Sequence, residues 1–169
     1  GNLCDADLQR RALAEVDAVI HMAAIIPPLS ESNERLATDV NLGATQTLVR
    51  LMEEMPRAKR LVFASSMTLG GKEQHHRSPP MRTDEPPSPC DHYGRTKARC
   101  EELLRASGLQ WTILRIAACP ATDQKGGSSE ESALIFDASI DGRVELVHAD
   151  DAGLAFANAV ACDAAIGKT

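Results

Sequence analysis

Apolar and polar positions alternate along the chain in blocks whose period switches between helix and strand. Asp5 is a helix-capping residue, and Leu8, Ala12 and Leu13 follow at helical spacing, which predicts a first helix over residues 5–16 with those three inward. Asp17-Ala-Val-Ile-His-Met-Ala-Ala24 is a short apolar run stopped by Pro27 and Pro28, the pattern of a strand buried in a parallel sheet. Apolar residues then recur at helical spacing over 36–55, and Pro56 closes that helix. Arg60-Leu-Val-Phe-Ala-Ser-Ser66 and Trp111-Thr-Ile-Leu-Arg-Ile116 predict two further strands. Between them, 67–92 reads as a long loop rich in Gly and Pro, and 93–106 as a helix capped by Ser107-Gly108. A polar stretch over 119–131, a short helix over 132–139, a strand over 144–148 and a helix over 150–161, capped by Asp150-Asp151, complete the pattern. Strands alternating with helices predict an α/β fold with a doubly wound parallel sheet. These strands alone would leave exposed parallel edges, so the sequence reads as the middle of a larger protein.

Composition narrows the function classes. With 169 residues, 43 % of them apolar, the chain is sized for one domain with a real core. The net charge of −6 and the lack of a basic cluster predict no nucleic-acid partner. No apolar run approaches the roughly 18 residues of a membrane span, and no signal-peptide layout opens the chain. Five cysteines without a CxxC pair predict reduced thiols in a cytoplasmic protein, with no disulfide framework and no zinc site. His75-His76 and His92 lie in or beside the Pro-rich loop and read as solvated, so no metal is expected. His21, on a strand, reads as a core residue.

The candidate chemistry lies in Tyr93-Gly-Arg-Thr-Lys97. Residues four apart on a helix share a face, so the phenol and the ammonium point the same way, and a nearby cation lowers a phenol's pKa toward a useful range. Ser65-Ser66 ends an apolar strand, where a hydroxyl meets the crevice at the carboxyl edge of a parallel sheet.

Six blocks occur in one order: Val19-Ile-His-Met-Ala-Ala24, Asn41-Leu-Gly-Ala-Thr-Gln-Thr-Leu48, Leu61-Val-Phe-Ala-Ser-Ser66, Tyr93-Gly-Arg-Thr-Lys97 with Glu101, Leu114-Arg-Ile-Ala-Ala-Cys-Pro120 and His148-Ala-Asp-Asp151. Together they resemble the extended short-chain dehydrogenase/reductase family, the NAD-dependent epimerase/dehydratase group. The resemblance implies a Rossmann-like sheet lacking its N-terminal βαβ portion and truncated at the C-terminus. Residues 1–120 would be part of the dinucleotide-binding domain, and 121–169 a shortened substrate-side segment. It implies an NAD(P)-dependent oxidoreductase or epimerase acting on a nucleotide sugar or a similar secondary alcohol or ketone, with NAD or NADP as cofactor. In that pattern Tyr93 is the acid/base, Lys97 holds the nicotinamide ribose and lowers the Tyr93 pKa, and Ser66 hydrogen-bonds the reacting oxygen, with Ser65 beside it. Ala23, Ala24, Asn41 and Pro120 complete the cofactor side.

The family's GxxGxxG turn has no counterpart, since Gly70-Gly71 and Gly126-Gly127 lack its spacing. Two other readings therefore stand beside the enzyme: a non-catalytic dinucleotide-binding regulator and an inactive fragment. Leu42, Thr45, Leu48, Val49, Leu51, Met52 and Met55 cover about half the circumference of the 36–55 helix, more than one sheet contact requires. With Cys100, Leu103 and Leu104 they predict a homodimer.

Overall fold

In the computed structural model the chain is described over residues 1–57, 59–71, 82–119 and 144–169. Three parallel strands, β1 (Ala18–His21), β2 (Arg60–Ser66) and β3 (Gln110–Ile116), form a sheet in that order. Ala18 pairs with Arg60 and His21 with Phe63, while β2 and β3 pair from Arg60–Gln110 to Ser66–Ile116. Successive side chains on a strand point to opposite faces. Leu61 and Phe63 therefore pack against α1 (Ala6–Leu13), α4 (Ala44–Glu54) and α5 (His92–Ala106), through Leu13, Leu48, Leu51, Met52, Cys100 and Leu104. Val62 and Ala64 pack on the other face against Phe156 and Ala159 of α6 (Ala149–Ala161). Helices on both faces of a parallel sheet are the α/β architecture the alternation predicts.

Local chemistry sets the helix ends. Asp5 caps α1 by accepting from the Asp7 and Leu8 amides. Only Leu13 of the three expected inward residues is fully buried; Ala12 is exposed, and Gln9 takes the inner position, donating to the Leu3 and Ala44 carbonyls. The predicted 36–55 helix is helical but not uniform. After a short α2 (Leu29–Ser32), α3 (Glu34–Ala37) runs into a wider π-helical turn, Thr38–Gly43, before α4. Hydrophobic spacing alone does not register such a turn. The wide apolar stripe is taken up within the chain: Leu48, Val49, Leu51 and Met52 join the core, with Leu42, Met55 and Leu103 packed against it.

Of the other boundaries, one matches and two differ. α5 ends at Ala106 as expected, with Ser107 capping it in extended backbone and its N–H bonded to the Leu104 carbonyl, without a left-handed Gly108. His148, not Asp150-Asp151, caps α6: its Nδ1 accepts from the Asp150 amide at 3.2 Å, and the two aspartates sit in the first turn, where they suit the helix dipole. The strand expected over 144–148 reduces to one parallel bridge, Ala118 with Leu146. The expected helix over 132–139 lies outside the described residues.

His21 is a core residue. It is 5 % exposed, its Nε2 lies 2.8 Å from Thr45 Oγ1, and its ring stands 5.7 Å from that of Phe63. Burial, helped by the positive charge of Lys97, lowers its pKa from 6.5 to about 4. The unfolded chain binds this proton near pH 6.5 and the folded chain only near 4, so the stability is complete above 6.5 and lost as pH falls through 4. Urea denaturation between pH 7 and 4 should show a loss of which His21 carries up to about 3 kcal/mol. His21→Gln should flatten that part of the slope; an unchanged slope would contradict the assignment.

Candidate active site

The site grows from α5. Asp91 caps it, accepting from the Gly94 amide at 2.6 Å. Glu31 of α2 reaches the same end, where its carboxylate accepts from the His92 and Tyr93 amides at 2.8 and 3.0 Å. Tyr93, Lys97 and Glu101 then follow four residues apart along one face. Each meets the carboxyl end of β2.

Glu101 is fully buried and accepts four hydrogen bonds: Ser65 Oγ at 2.6 Å, Arg115 Nε at 3.0 Å, Arg115 Nη2 at 2.8 Å and Arg105 Nη2 at 2.8 Å. Burial pushes its pKa upward, but the bonds from Arg115, Ser65 and Arg105 outweigh that and hold it below the ordinary carboxylate value. Lys97, 2 % exposed, donates to the Ala64 carbonyl at 2.7 Å, and its ammonium lies 4.7 Å from the Phe63 ring centroid and 5.7 Å from that of Tyr93. Burial lowers its pKa from 10.5 to about 8.

Tyr93 is half-buried beside Ser66, and the two line one cavity. Its pKa is raised, chiefly by burial and further by Asp91, with only partial relief from Ser66. The sequence predicts a phenol lowered by Lys97. In this chain the ammonium is turned toward the Ala64 carbonyl, and burial governs the phenol instead.

Ser66, Tyr93, Lys97 and Ala24 line one cavity of about 840 Å³ beside the strand ends, with Ile20, Met67, Ile116 and Phe156 among its apolar walls. That volume is within the range of small-molecule sites, and the carboxyl edge of a parallel sheet is where such folds bind ligands. Ser65 also borders the cavity, but its hydroxyl is committed to Glu101. Strand alternation explains the split: adjacent serines face opposite sides, so Ser66 joins Tyr93 while Ser65 joins the buried carboxylate.

The remaining sequence candidates divide. Ala23 is exposed and is not among the cavity-lining residues. Asn41 lies in the π-helical turn and clamps the segment after β1: Ile25 N–H donates to Oδ1 at 2.7 Å, and Nδ2 donates to the Ile25 carbonyl at 2.9 Å and to Thr96 Oγ1 at 3.2 Å. Its carbonyl accepts from Thr45 and from Cys100, whose thiol is raised by burial to about 11 and is inert. Asn41 therefore supports the cavity wall. Pro120 and the His75-His76 pair lie outside the described residues. Among the described residues no cluster of metal-ligating side chains occurs. Sequence reading missed Glu31 and Arg115 as partners because nothing local marks contacts made across 61 and 14 residues.

The family model for the NAD dependent epimerase/dehydratase family matches residues 1–120. The chain belongs to that family. It is 29 % identical over 143 residues to a D-erythronate dehydrogenase of Cupriavidus necator, covering 80 % of this chain and 43 % of that protein. It is 35 % identical over 106 residues to a UDP-glucose 4-epimerase of Dictyostelium discoideum, covering 60 % of this chain and 29 % of that one. The fold matches a UDP-glucose 4-epimerase of Brucella ovis in complex with NAD, with a TM-score of 0.79 at 23 % identity, over 99 % of this chain and 61 % of that one. The sheet is thus Rossmann-like. The chain spans between 28 % and 43 % of the length of the curated relatives it matches.

The site's two buried ions should respond oppositely to neutralisation. Lys97→Met should raise the unfolding free energy at pH 7 by about 2 kcal/mol, since relief of a buried charge gives about 3 and the lost hydrogen bond takes back about 1. Glu101→Gln should lower it by roughly 3 kcal/mol, because two guanidiniums lose their carboxylate. Urea unfolding checks both; a destabilised Lys97→Met would contradict the picture.

Proposed function

We propose that this chain carries the proton-transfer part of an NAD(P)-dependent epimerase or dehydrogenase acting at a secondary alcohol or ketone of a nucleotide sugar or similar small compound. The observation that carries the reading is the meeting of Ser66, Tyr93 and Lys97 on one cavity at the carboxyl edge of the sheet. The epimerase and dehydrogenase names of the relatives support it.

The residues present fit a nicotinamide nucleotide. Lys97 is a buried ammonium with three donors and, among the described residues, one hydrogen-bond acceptor, the Ala64 carbonyl, so donors remain for ribose hydroxyls at the cavity wall. Ala24 offers a small side chain beside it. When bound, the nicotinamide supplies the hydride acceptor or donor. The chain's own residues do the rest. Ser66 donates to the reacting oxygen. Tyr93 takes the hydroxyl proton as the carbonyl forms and returns it in the reverse direction. Lys97 would hold the ribose hydroxyls, and its positive charge, turned from Ala64 toward Tyr93, would lower the phenol from its raised value. Asn41 keeps the wall after β1 in place, and Ser65 acts at one remove, through the Glu101 carboxylate that fixes α5.

The reading extends to a homodimer that uses the groove between the π-helical turn and α5, where Leu42, Pro89 and Ala98 are grouped. It places the enzyme in the cytoplasm, where its five free cysteines would stay reduced.

In the full-length protein, Tyr93→Phe should cut turnover of UDP-hexoses or small hydroxy acids by about 10² or more with NAD binding nearly unchanged. Steady-state kinetics and calorimetry check this. Near-normal turnover by Tyr93→Phe would end the acid/base assignment, and a full-length wild-type protein that binds NAD without turning over any of these compounds would favour a regulator.

A further inference from the structure

Ser66 has a constraint that the proposed chemistry does not itself explain. A serine hydroxyl has two lone pairs and one proton. The Thr68 amide donates to Ser66 Oγ at 3.2 Å, and the Thr68 hydroxyl donates to the same oxygen at 3.0 Å. Both lone pairs are then filled from one residue. Ser66 caps the turn Met67–Gly70 through the first of these bonds, which fixes its rotamer. The second is not needed for the turn. Ser66, Thr68 and Tyr93 all line the large cavity. With its acceptor positions used, the Ser66 hydroxyl can only donate, to Tyr93 Oη or to an oxygen in the cavity.

We propose that Thr68 is a positioning residue that holds Ser66 as a donor, so that the Tyr93 hydroxyl accepts from Ser66 and keeps its own proton directed into the cavity. Without the Thr68 hydroxyl, one lone pair on Ser66 is free and the phenol can donate to it. Its proton is then turned away from the substrate and the neutral phenol is stabilised. The proposal rests on Tyr93 as the acid/base for its functional meaning, though the hydrogen-bond order exists without turnover.

Tyr93 is the only tyrosine of the 169-residue chain, so a sample labelled with 13Cζ-tyrosine gives one reporter signal. Its shift is followed from pH 7 upward in the chain without cofactor or substrate, with emission of the single tryptophan, Trp111, confirming the fold at each pH. Thr68→Val, which keeps the shape and removes the hydroxyl, should displace the neutral-pH signal. It should also move the onset of phenol ionisation upward by about half a pH unit or more. Thr68→Ala, read beside it, removes the same hydroxyl with less bulk. Thr68→Ser should overlay the wild type. In a Ser66→Ala background, Thr68→Val should add nothing. A Thr68→Val or Thr68→Ala signal that overlays the wild type, or a Thr68→Ser signal displaced as far as theirs, would overturn the proposal. Failure of the acid/base reading would appear as an active Tyr93→Phe and would leave these signals as they are.

Discussion

The arrangement depends on one buried carboxylate. Glu101 takes hydrogen bonds from β2, from β3 and from its own helix, through Ser65, Arg115 and Arg105. A carboxylate out of water is costly unless its lone pairs are filled, so only one rotation and one axial position of α5 satisfy it. Tyr93 and Lys97 lie two and one turns earlier on the same face, and they inherit that placement. A helix held by apolar contacts alone can slide by fractions of a turn at little cost, because methyl groups are indifferent to small offsets. Hydrogen-bonded charges are not.

The same low-polarity surroundings explain why the site is poised rather than relaxed. Lys97 is held as an ammonium against burial, with a backbone carbonyl and an aromatic face as its surroundings. Tyr93 is held as a neutral phenol. Both depart from their ordinary titration in the direction burial dictates, and both would relax toward ionisation once polar ligand groups entered the cavity. A site of this kind lowers the stability of the empty fold and returns that free energy on binding. His21 and Cys100, buried on the sheet face that α5 covers, show the contrasting case: desolvated, hydrogen-bonded and chemically silent.

Much of the fold was legible because it follows from period and punctuation. β2 matched the apolar run ending in two serines residue for residue, and β3 began one residue before its expected start. The juxtaposition of Tyr93 and Lys97 followed from helical spacing alone. What was not legible depends on contacts distant in sequence. The π-helical turn around Asn41 answers to partners at Ile25 and Thr96, which no local pattern reveals. The different fates of Ser65 and Ser66 require knowing which strand face meets α5. The direction of the Tyr93 shift required knowing that the Lys97 ammonium is turned toward Ala64, a choice that spacing leaves open. The 144–148 segment carries a strand's composition but finds only one bridge, since pairing depends on a neighbour and not on propensity.

In the proposed site α5, fixed by Glu101, would present Tyr93 and Lys97, beside Ser66 at the end of β2, to a nicotinamide nucleotide in a single cavity. A crystal structure of the full-length protein with NAD tests this most directly. The account predicts ribose hydroxyls on the Lys97 ammonium, the nicotinamide beside the Tyr93 hydroxyl and the Glu101 bonds unchanged. NAD seated away from this cavity, or bound there with Lys97 making no contact to it, would contradict the account.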